Sequence, residues 1–403
     1  MSYIINMTLR INEIHRVLKP TGSFYLHCDP TASHYLKLVL DSIFCSQGGE
    51  FQNEIIWCYS HGGKGKTHYA RKHDVIFWFS KSKEYIFNGN DIGIERDTGS
   101  KSKGGRLGKD ENGRPYQDKL VKKTGKIYRY YLDTGKIPED WWVDINSLQA
   151  GVAERLGYPT QKPEALLERI IKASSNKGDT VLDAFCGCGT TISVAQRLNR
   201  KWIGIDITYQ SISVILKRLK ENFGQDVIDK TELNGVPQDM ESAIALAHKK
   251  DDRVRKEFEK WAVLTYSDNK AMINEKKGAD SGIDGVSYML VGNDEHKQVL
   301  FSVKSGHIGV TMIRDFCHVV DRENAAIGIF IALEEPTKPM IKEAKNMGDY
   351  INPLTHQEYP KIEIVTIEEI ISGRKLNLPQ AVEVLKEAQR SKEIIDNPMG
   401  LDF

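Results

Sequence analysis

A carboxylate, an aromatic ring and two glycines stand together in Asp183-Ala184-Phe185-Cys186-Gly187-Cys188-Gly189-Thr190-Thr191. Glycines at such a point let the backbone come close to a bound molecule, and Thr190 or Thr191 can cap a following helix. Downstream, Trp202-Ile203-Gly204-Ile205-Asp206 ends in a second carboxylate, which can accept two hydrogen bonds from ribose hydroxyls. The pattern suits a ligand carrying a nucleoside; a tight strand-to-helix turn with no ligand also satisfies it. Cys186 and Cys188 are one residue apart, a spacing that suits neither a disulfide framework nor a usual zinc site. With six scattered cysteines, reduced thiols in a cytoplasm are expected.

A second group lies far along the chain. Lys277-Gly278-Ala279-Asp280-Ser281-Gly282-Ile283-Asp284-Gly285 leads into one strand, and Phe301-Ser302-Val303-Lys304 closes the next. If these strands form a hairpin turning around Asp294, facing residues sum to about 588 and Asp284 lies opposite Lys304. Ser302 and Lys304 are two apart and share a face. An aspartate and a lysine then meet at the open end of a sheet, as a site or as a plain salt bridge.

The elements that must hold these residues alternate. Gly22–Asp29 reads as a buried strand entered through a Pro20-Thr21-Gly22 turn, and Ser33–Phe44 as a helix with one apolar face. Strands are expected at Glu54–Tyr59 and Asp74–Ser80, and Pro163 opens a helix carrying Leu166, Leu167, Ile170 and Ile171. Strand Thr180–Ala184, helix Thr191–Leu198, strand Trp202–Asp206 and helix Ser211–Phe223 follow. Such alternation means parallel strands joined by right-handed crossovers, a doubly wound α/β sheet. Beyond a polar bridge, two helices precede strands near Asp284–Val291 and Lys297–Lys304, then helix Val310–Arg322 and strand Ile327–Leu333.

A length of 403 residues accommodates two or three domains. No run of eighteen apolar residues occurs, and Met1–Arg10 lacks the layout of a signal peptide. The net charge of +1 hides an asymmetry: Ser60–Lys136 holds 18 Lys/Arg against 9 Asp/Glu. Gly62-Gly63-Lys64-Gly65-Lys66, Lys101-Ser102-Lys103-Gly104-Gly105-Arg106 and Lys126-Ile127-Tyr128-Arg129-Tyr130-Tyr131 make this stretch read as basic, aromatic-bearing loops. Such loops attract a phosphate backbone; a solvated insertion has the same composition.

Asp183–Thr191 resembles the methyl-donor motif of DNA N4-cytosine/N6-adenine methyltransferases. Thr160-Gln161-Lys162-Pro163-Glu164-Ala165-Leu166-Leu167-Glu168-Arg169-Ile170 is similar to the helix before that motif, and Trp202–Asp206 to the ribose-binding strand. Val17-Leu18-Lys19-Pro20-Thr21-Gly22-Ser23-Phe24-Tyr25-Leu26-His27-Cys28-Asp29 resembles a strand of the catalytic half, which comes first in the permuted beta class. The resemblance implies an S-adenosylmethionine pocket formed by Lys162, Pro163, Asp183, Phe185, Gly187, Gly189, Thr190 and Asp206. Phe185 would lie against the donor, Asp206 would hold its ribose, and Lys162 and Pro163 would shape the opposite wall. It also implies double-stranded DNA as partner, read by the basic stretch.

These enzymes commonly use an Asp/Asn/Ser-Pro-Pro-aromatic turn, in which the first residue takes a hydrogen bond from the target amino group and the ring stacks on the flipped base. Here no two of the thirteen prolines are adjacent. Asp29-Pro30-Thr31-Ala32 comes nearest, with one proline and no ring, and reads better as a strand end and helix cap. The expectation is an N-terminally truncated methyltransferase, inactive alone, with a separate chain as one source of the missing turn. A methyltransferase acting on something other than DNA fits the Gln161–Pro163 helix and the basic stretch less well.

The Asp284/Lys304 arrangement resembles the restriction-endonuclease-like fold, in its Mrr-like branch. By that resemblance Asp284, Ser302 and Lys304 form a nuclease site in which Asp284 binds a divalent metal, Mg²⁺, and Lys304 orients the attacking water. Ser302 departs from the pattern, standing where an acidic residue or Gln is usual, and a serine is a poor ligand for Mg²⁺. Glu257 or Glu259 would supply the missing carboxylate. The expected organisation is a partial catalytic half over 1–59, a basic target-recognition insertion over 60–150 and a donor-binding half over 151–224. A linker over 225–238 leads to the restriction-endonuclease-like domain over 239–403. A DNA-binding or Mg²⁺-dependent nuclease module of a restriction-modification system, carried on a vestigial methyltransferase, is the alternative function.

Overall fold

A computed structural model describes residues 2–60, 65–94, 105–133, 135–149, 152, 154–156, 158, 160–274, 282–292 and 295–378. Parts of the sequence features named above therefore lie outside the described residues: Gly62–Lys64, 101–104, Lys277–Ser281 and Asp294. The chain divides into two compact units. The first comprises Met1–Arg155, Thr160–Cys186 and Thr190–Ile205; the second comprises Leu156–Pro159, Gly187–Gly189 and Asp206–Phe403.

In the first unit, helix α1 (Ser2–Val17), strand β1 (Ser23–Cys28) and helix α2 (Pro30–Phe44) precede strands β2 (Glu50–Cys58) and β3 (His73–Ser80). Strands β4 (Gly105–Lys109), β5 (Pro115–Val121), β6 (Lys126–Tyr131) and β7 (Trp141–Trp142) come next. Helix α3 (Glu164–Ser174), strand β8 (Thr180–Asp183), helix α4 (Thr190–Arg197) and strand β9 (Lys201–Gly204) complete it. One sheet has the order β1-β3-β2-β7, with β3 antiparallel to both neighbours and β2 parallel to β7. Strand β3 carries an unbroken apolar run, Val75–Phe79, because both faces are covered there. Val75, Phe77 and Phe79 pack with Ile11, Leu36, Leu40 and Phe44 from α1 and α2. Ile76 on the opposite face packs with Ile55, Trp57, Trp142 and Leu166 of α3.

Strands β8 and β9 pair in parallel through the α4 crossover, with Val181 and Trp202 packed on Ile171, Val194 and Ala195. The expected doubly wound sheet is thus present in two pieces. Among the described residues, β1 pairs only with β3 and β8 only with β9, so each keeps one unpaired edge.

The basic stretch differs from the loops its composition suggests. Strands β4, β5 and β6 form a three-stranded antiparallel sheet. Two turns close it: Asp110 accepts the amides of Asn112 and Arg114, and Gly125, at φ 67°, donates to the Val121 carbonyl. Glycine reaches this backbone region without the Cβ penalty. Asp29 caps α2 as expected, accepting the Thr31 and Ala32 amides.

The second unit begins with helices α5 (Tyr209–Phe223), α6 (Gln225–Asp229), α7 (Met240–Ala247) and α8 (Asp252–Tyr266). Strands β10 (Met272–Ile273), β11 (Gly285–Leu290) and β12 (His296–Lys304), helix α9 (Val310–Arg322), strand β13 (Ile327–Ala332) and helix α10 (Lys338–Lys345) follow. The last elements are β14 (Asp349–Ile351), β15 (Glu358–Pro360), β16 (Ile362–Thr366) and helix α11 (Ile367–Ile371). The five-stranded sheet has the order β10-β11-β12-β13-β16, with β12, β13 and β16 parallel. Phe258, Trp261 and Val263 of α8 cover one face over Phe301 and Val303; Ile313, Phe316 and Met340 cover the other over Leu300 and Phe330.

Helix α5 joins this unit, ahead of the polar bridge expected to part the domains. The Tyr209 hydroxyl lies 3.0 Å from Thr265 Oγ1, and the Tyr209 amide donates to Glu257 at 2.8 Å. The bridge itself carries the short helix α6. Among the described residues, no helix is long and apolar enough to cross a membrane.

Candidate functional site

Strand β8 ends at Asp183, whose carboxylate accepts the Phe185 amide at 3.1 Å. Beyond the strands, the Ile205 amide donates to the Asp183 carbonyl at 2.9 Å and the Cys186 amide to the Ile205 carbonyl at 3.0 Å. A Cβ on Gly204 would stand 2.2 Å from Ile192 Cδ1, so any larger residue here displaces that buried side chain. The Phe185 ring is left 53% exposed. Thr190 is buried at the first position of α4, inside the helix rather than ahead of it as a cap.

Gly187 and Gly189 have φ of +48° and +73°. A Cβ on Gly189 would lie 2.5 Å from Ile215 Cγ1, whereas one on Gly187 would meet the Tyr158 ring at 3.3 Å. The Gly187 amide donates to Asp206 Oδ2 at 3.0 Å. Asp206 Oδ1 accepts the Thr208 amide at 3.0 Å and its hydroxyl at 3.1 Å. Thr208 in turn caps α5 by accepting the Ser211 amide, and Ser211 Oγ lies 2.8 Å from the Tyr158 hydroxyl. Asp206 is therefore fixed in orientation; Oδ1 already accepts two hydrogen bonds, and Oδ2, which accepts one, keeps acceptor capacity. Two left-handed glycines beside an oriented carboxylate are a cradle that fits the ribose of a nucleoside ligand.

Lys162 belongs to a group that sequence reasoning missed. Its Nζ lies 3.3 Å from Asp74 Oδ2 and 5.7 Å from the Trp57 ring centre. The same oxygen lies 2.7 Å from His27 Nε2, and Asp74 Oδ1 accepts the Tyr59 hydroxyl at 3.2 Å. Burial alone would raise the Asp74 carboxyl, but the His27 hydrogen bond and the Lys162 charge outweigh it and hold the carboxyl at about 2. Burial is the main cause lowering His27, with Lys162 adding to it against Asp74. The group sits where β1 and β2, which run in the same direction on either side of β3, end and β3 begins. Open α/β sheets hold ligands at such strand ends. The signal in the sequence was a histidine and an aspartate in otherwise apolar strands. Pro163 precedes the first residue of α3, and Glu154 rather than a cap on Pro163 accepts the Glu164 amide.

The β4–β5–β6 sheet has two unlike faces. On one, Arg129 forms a bidentate pair with Asp118 and stacks 3.7 Å from the Tyr116 ring centre. Arg114, in the turn before β5, pairs with Asp133 and stacks 4.3 Å from Tyr131. The other face carries Leu107, Gln117, Lys119, Lys126, Tyr128 and Tyr130.

In the second unit the β11–β12 register corrects the expected hairpin. Gly285 pairs with Phe301 and Leu290 with His296, so facing residues sum to 586. Extending that register puts Asp284 beside Ser302, with its amide donating to the Phe301 carbonyl at 2.8 Å and its Oδ2 accepting the Val303 amide at 2.7 Å. Shifting the turn by one position moves every partner by two, which preserves faces but changes neighbours. Ser302 is only 2% exposed, in the central strand. Lys304 Nζ lies 3.9 Å from where a Cβ on Gly282 would stand, on the loop entering β11. Of the two candidate glutamates, Glu257 is engaged with the Tyr209 amide and Lys260. Glu259 is the one whose carboxyl is raised, by burial and by Asp284, with Lys256 and Lys304 opposing. Among the described residues, no group of three or more His, Cys, Asp or Glu could hold a metal ion. Ser302 adds no carboxylate between Asp284 and Lys304, where Mg²⁺ sites favour carboxylate oxygens.

Residues 1–217 match the family model described as DNA methylase, of the N6/N4 methyltransferase kind. Residues 254–372 match the model described as NACHT-associated inactive Restriction Endonuclease 1. DNA adenine methyltransferase YhdJ of Escherichia coli (strain K12) is 37% identical over 211 residues, covering 52% of this chain and 64% of that protein. Type II methyltransferase M.HpaI of Haemophilus parainfluenzae is 33% identical over 238 residues, covering 58% and 65%. The chain thus spans just under two thirds of the length of these two relatives. Among solved structures, the PvuII cytosine-N4-specific DNA methyltransferase aligns at TM-score 0.39 and 16% identity, covering 56% of this chain and 74% of that one. The M1.HpyAVI–SAM complex aligns at TM-score 0.36 and 20% identity, covering 53% and 82%.

Proposed function

Since the chain belongs to the DNA methylase family, we propose that it binds S-adenosylmethionine and serves methyl transfer to an exocyclic amino group of adenine or cytosine in duplex DNA, within a restriction-modification system. The observation that carries this reading is the hydrogen bond from the left-handed Gly187 amide to Asp206, which orients a carboxylate beside a glycine turn. When bound, the donor supplies a methyl group on a cationic sulfur. Asp206 accepts the ribose hydroxyls, the exposed Phe185 ring packs against the donor, and Gly187 and Gly189 keep side chains out of its way. Asp183 holds the turn through the Phe185 amide, and Thr190 anchors the start of α4. Lys162 and Pro163 form the further wall, with Lys162 steadied by Asp74.

These 403 residues contain no adjacent prolines, so the turn that takes the amino proton is assigned to a strand outside them. The unpaired edges of β1 and β8 support a docking place for that strand, whichever polypeptide carries it. Calorimetry of S-adenosylmethionine against the wild-type chain and Asp206→Ala tests the donor site. Binding by wild type and a loss of tenfold or more in the variant are expected; no binding by either removes the pocket. Methyl transfer to DNA by the chain alone would overturn the assignment of the proton acceptor to an outside strand.

For the second unit we propose contact with DNA without Mg²⁺-dependent cleavage, because the family model it matches is described as an inactive restriction endonuclease and Ser302 supplies no carboxylate between Asp284 and Lys304. Cleavage by the wild-type chain with Mg²⁺ that disappears in Lys304→Ala would overturn this reading and restore the nuclease alternative.

A further inference from the structure

We infer that the outer edge of β16 takes up an extended segment of a partner protein as an added strand, and that this segment carries lysine or arginine at both ends. The proposal stands apart from the methyltransferase reading, because everything it uses lies in the sheet of the second unit. Strand β16 is the last in the order β10-β11-β12-β13-β16, so among the described residues only one of its sides is paired. Its pairing with β13 is parallel, with Gly328 beside Ile362 and Ile331 beside Val365. The Gly328 amide donates to the Lys361 carbonyl at 2.9 Å. Backbone groups alternate sides along a strand, so Glu363 and Val365 turn theirs toward β13, and Ile362 and Ile364 turn theirs outward. The next outward amide, that of Thr366, donates to Glu369 Oε2 at 2.9 Å and closes the edge at its carboxyl end.

A groove of about 1000 Å³ runs along this edge, lined by Ile341 and Lys345 of α10 on one side and by Glu368 of α11 and Ser372 on the other. Ile341, 39% exposed, gives it an apolar wall. An unpaired edge is a template for another strand, and main-chain hydrogen bonding to such an edge is a general mode of peptide capture. Charge then selects the occupant. Five carboxylates and two cations line the groove. Arg374 is shared by Glu363 and Glu369. Glu335, Asp349 and Glu368 are exposed, form no ion pair among the described residues, and have only Lys345 to offset them. Asp349 pairs with Pro360, just ahead of β16, whereas Glu335 follows the end of β13 and Glu368 the end of β16. Carboxylates therefore stand at both ends of a five-residue strand, and an extended segment with a cation at each end matches them. A nucleic acid has the wrong sign for this groove. A second copy paired edge to edge about a two-fold axis would set the same carboxylates against one another. Residues 379–403 hold five Asp/Glu against three Lys/Arg, again the wrong balance.

The test titrates the full chain with the fluorescent peptide Lys-Val-Thr-Val-Thr-Val-Lys and with Glu-Val-Thr-Val-Thr-Val-Glu, and follows amide exchange at Ile362 and Ile364. The lysine peptide should bind at least about tenfold more tightly than the glutamate peptide at about 0.1 M salt, and less tightly as salt rises. A variant combining Glu335→Lys, Asp349→Lys and Glu368→Lys should reverse that preference. Bound lysine peptide should slow exchange at Ile362 and Ile364 by about tenfold or more, while Glu363 and Val365, already paired with β13, keep their rates. Equal binding of the two peptides, or none, overturns the proposal. So does an unaltered preference in the variant, or unaltered exchange at Ile362 and Ile364 with the lysine peptide bound. Slow exchange at these two amides in the free chain also overturns it. Slowing that grows with protein concentration assigns the edge to a second copy, and slowing at every concentration assigns it to residues 379–403.

Discussion

The ammonium of Lys162 and the carboxylate of Asp74, 88 residues apart in sequence, stand 3.3 Å from each other, with His27 on the same oxygen at 2.7 Å. A residue expected only to wall a ligand pocket is thereby part of a three-group network on the strand ends of the first unit.

The network makes stability depend on acid. The Asp74 carboxyl is held at about 2 in the fold, against an ordinary value near 3.8. Its contribution is therefore fully present above about pH 4 and is lost as pH falls toward 2, where the folded form also takes up its proton. Asp74→Asn should remove on the order of 2 kcal/mol near pH 7. Urea unfolding at pH 7 and near pH 3 checks this: the gap between wild type and variant must narrow at the lower pH.

The two glycines of the donor turn should differ in tolerance. Gly189→Ala adds a left-handed Cβ and a 2.5 Å encounter with Ile215, so a loss of roughly 2 to 4 kcal/mol is expected. Gly187→Ala meets only the Tyr158 ring at 3.3 Å and should cost about 1 kcal/mol, nearly all backbone strain. Denaturant midpoints of the two variants would reverse this order if the turn were shaped differently.

Glu259 carries its charge at a disadvantage, from burial and from Asp284. Its raised carboxyl favours the fold at low pH, and this advantage is lost as pH rises through its folded value. Glu259→Gln should therefore raise the melting temperature at pH 8 and change it much less at pH 4. A lower melting temperature at pH 8 would mean that Glu259 is held by favourable contacts instead.

Arg129 ties β5 to β6 through Asp118 and Tyr116. In Arg129→Ala, amide exchange at Gln117 and Tyr130 should accelerate while exchange in β3 stays at wild-type rates. Uniform rates across the three-stranded sheet in both proteins would show that the stacked pair is not what holds it.

Much of the frame was legible because local patterns carried it. Within the expected Gly22–Asp29, Ser23–Cys28 is a strand and Asp29 a helix cap; Thr180–Asp183 and Lys201–Gly204 are parallel strands about a helix. These rest on periodicity and caps, which depend on near neighbours. The β11–β12 register is not fixed by the sequence pattern, because turn position is set by one residue while alternation along the strands fits either choice. The three-stranded sheet has the composition of loops, since its stabilising pairs, Arg129 with Tyr116 and Arg114 with Tyr131, look like solvated charge in a linear sequence. His27, Asp74 and Lys162 converge only after three strands and a helix have packed.

The sheet of β4 to β6 also separates architecture from vocabulary. Its arginine–tyrosine side keeps the strands together, so Gln117 and Tyr128 on the reverse side can be exchanged without removing the pairs that hold them. Neither the donor turn nor the strands of the two pieces of sheet share a residue with that surface, so such exchanges leave them as they are.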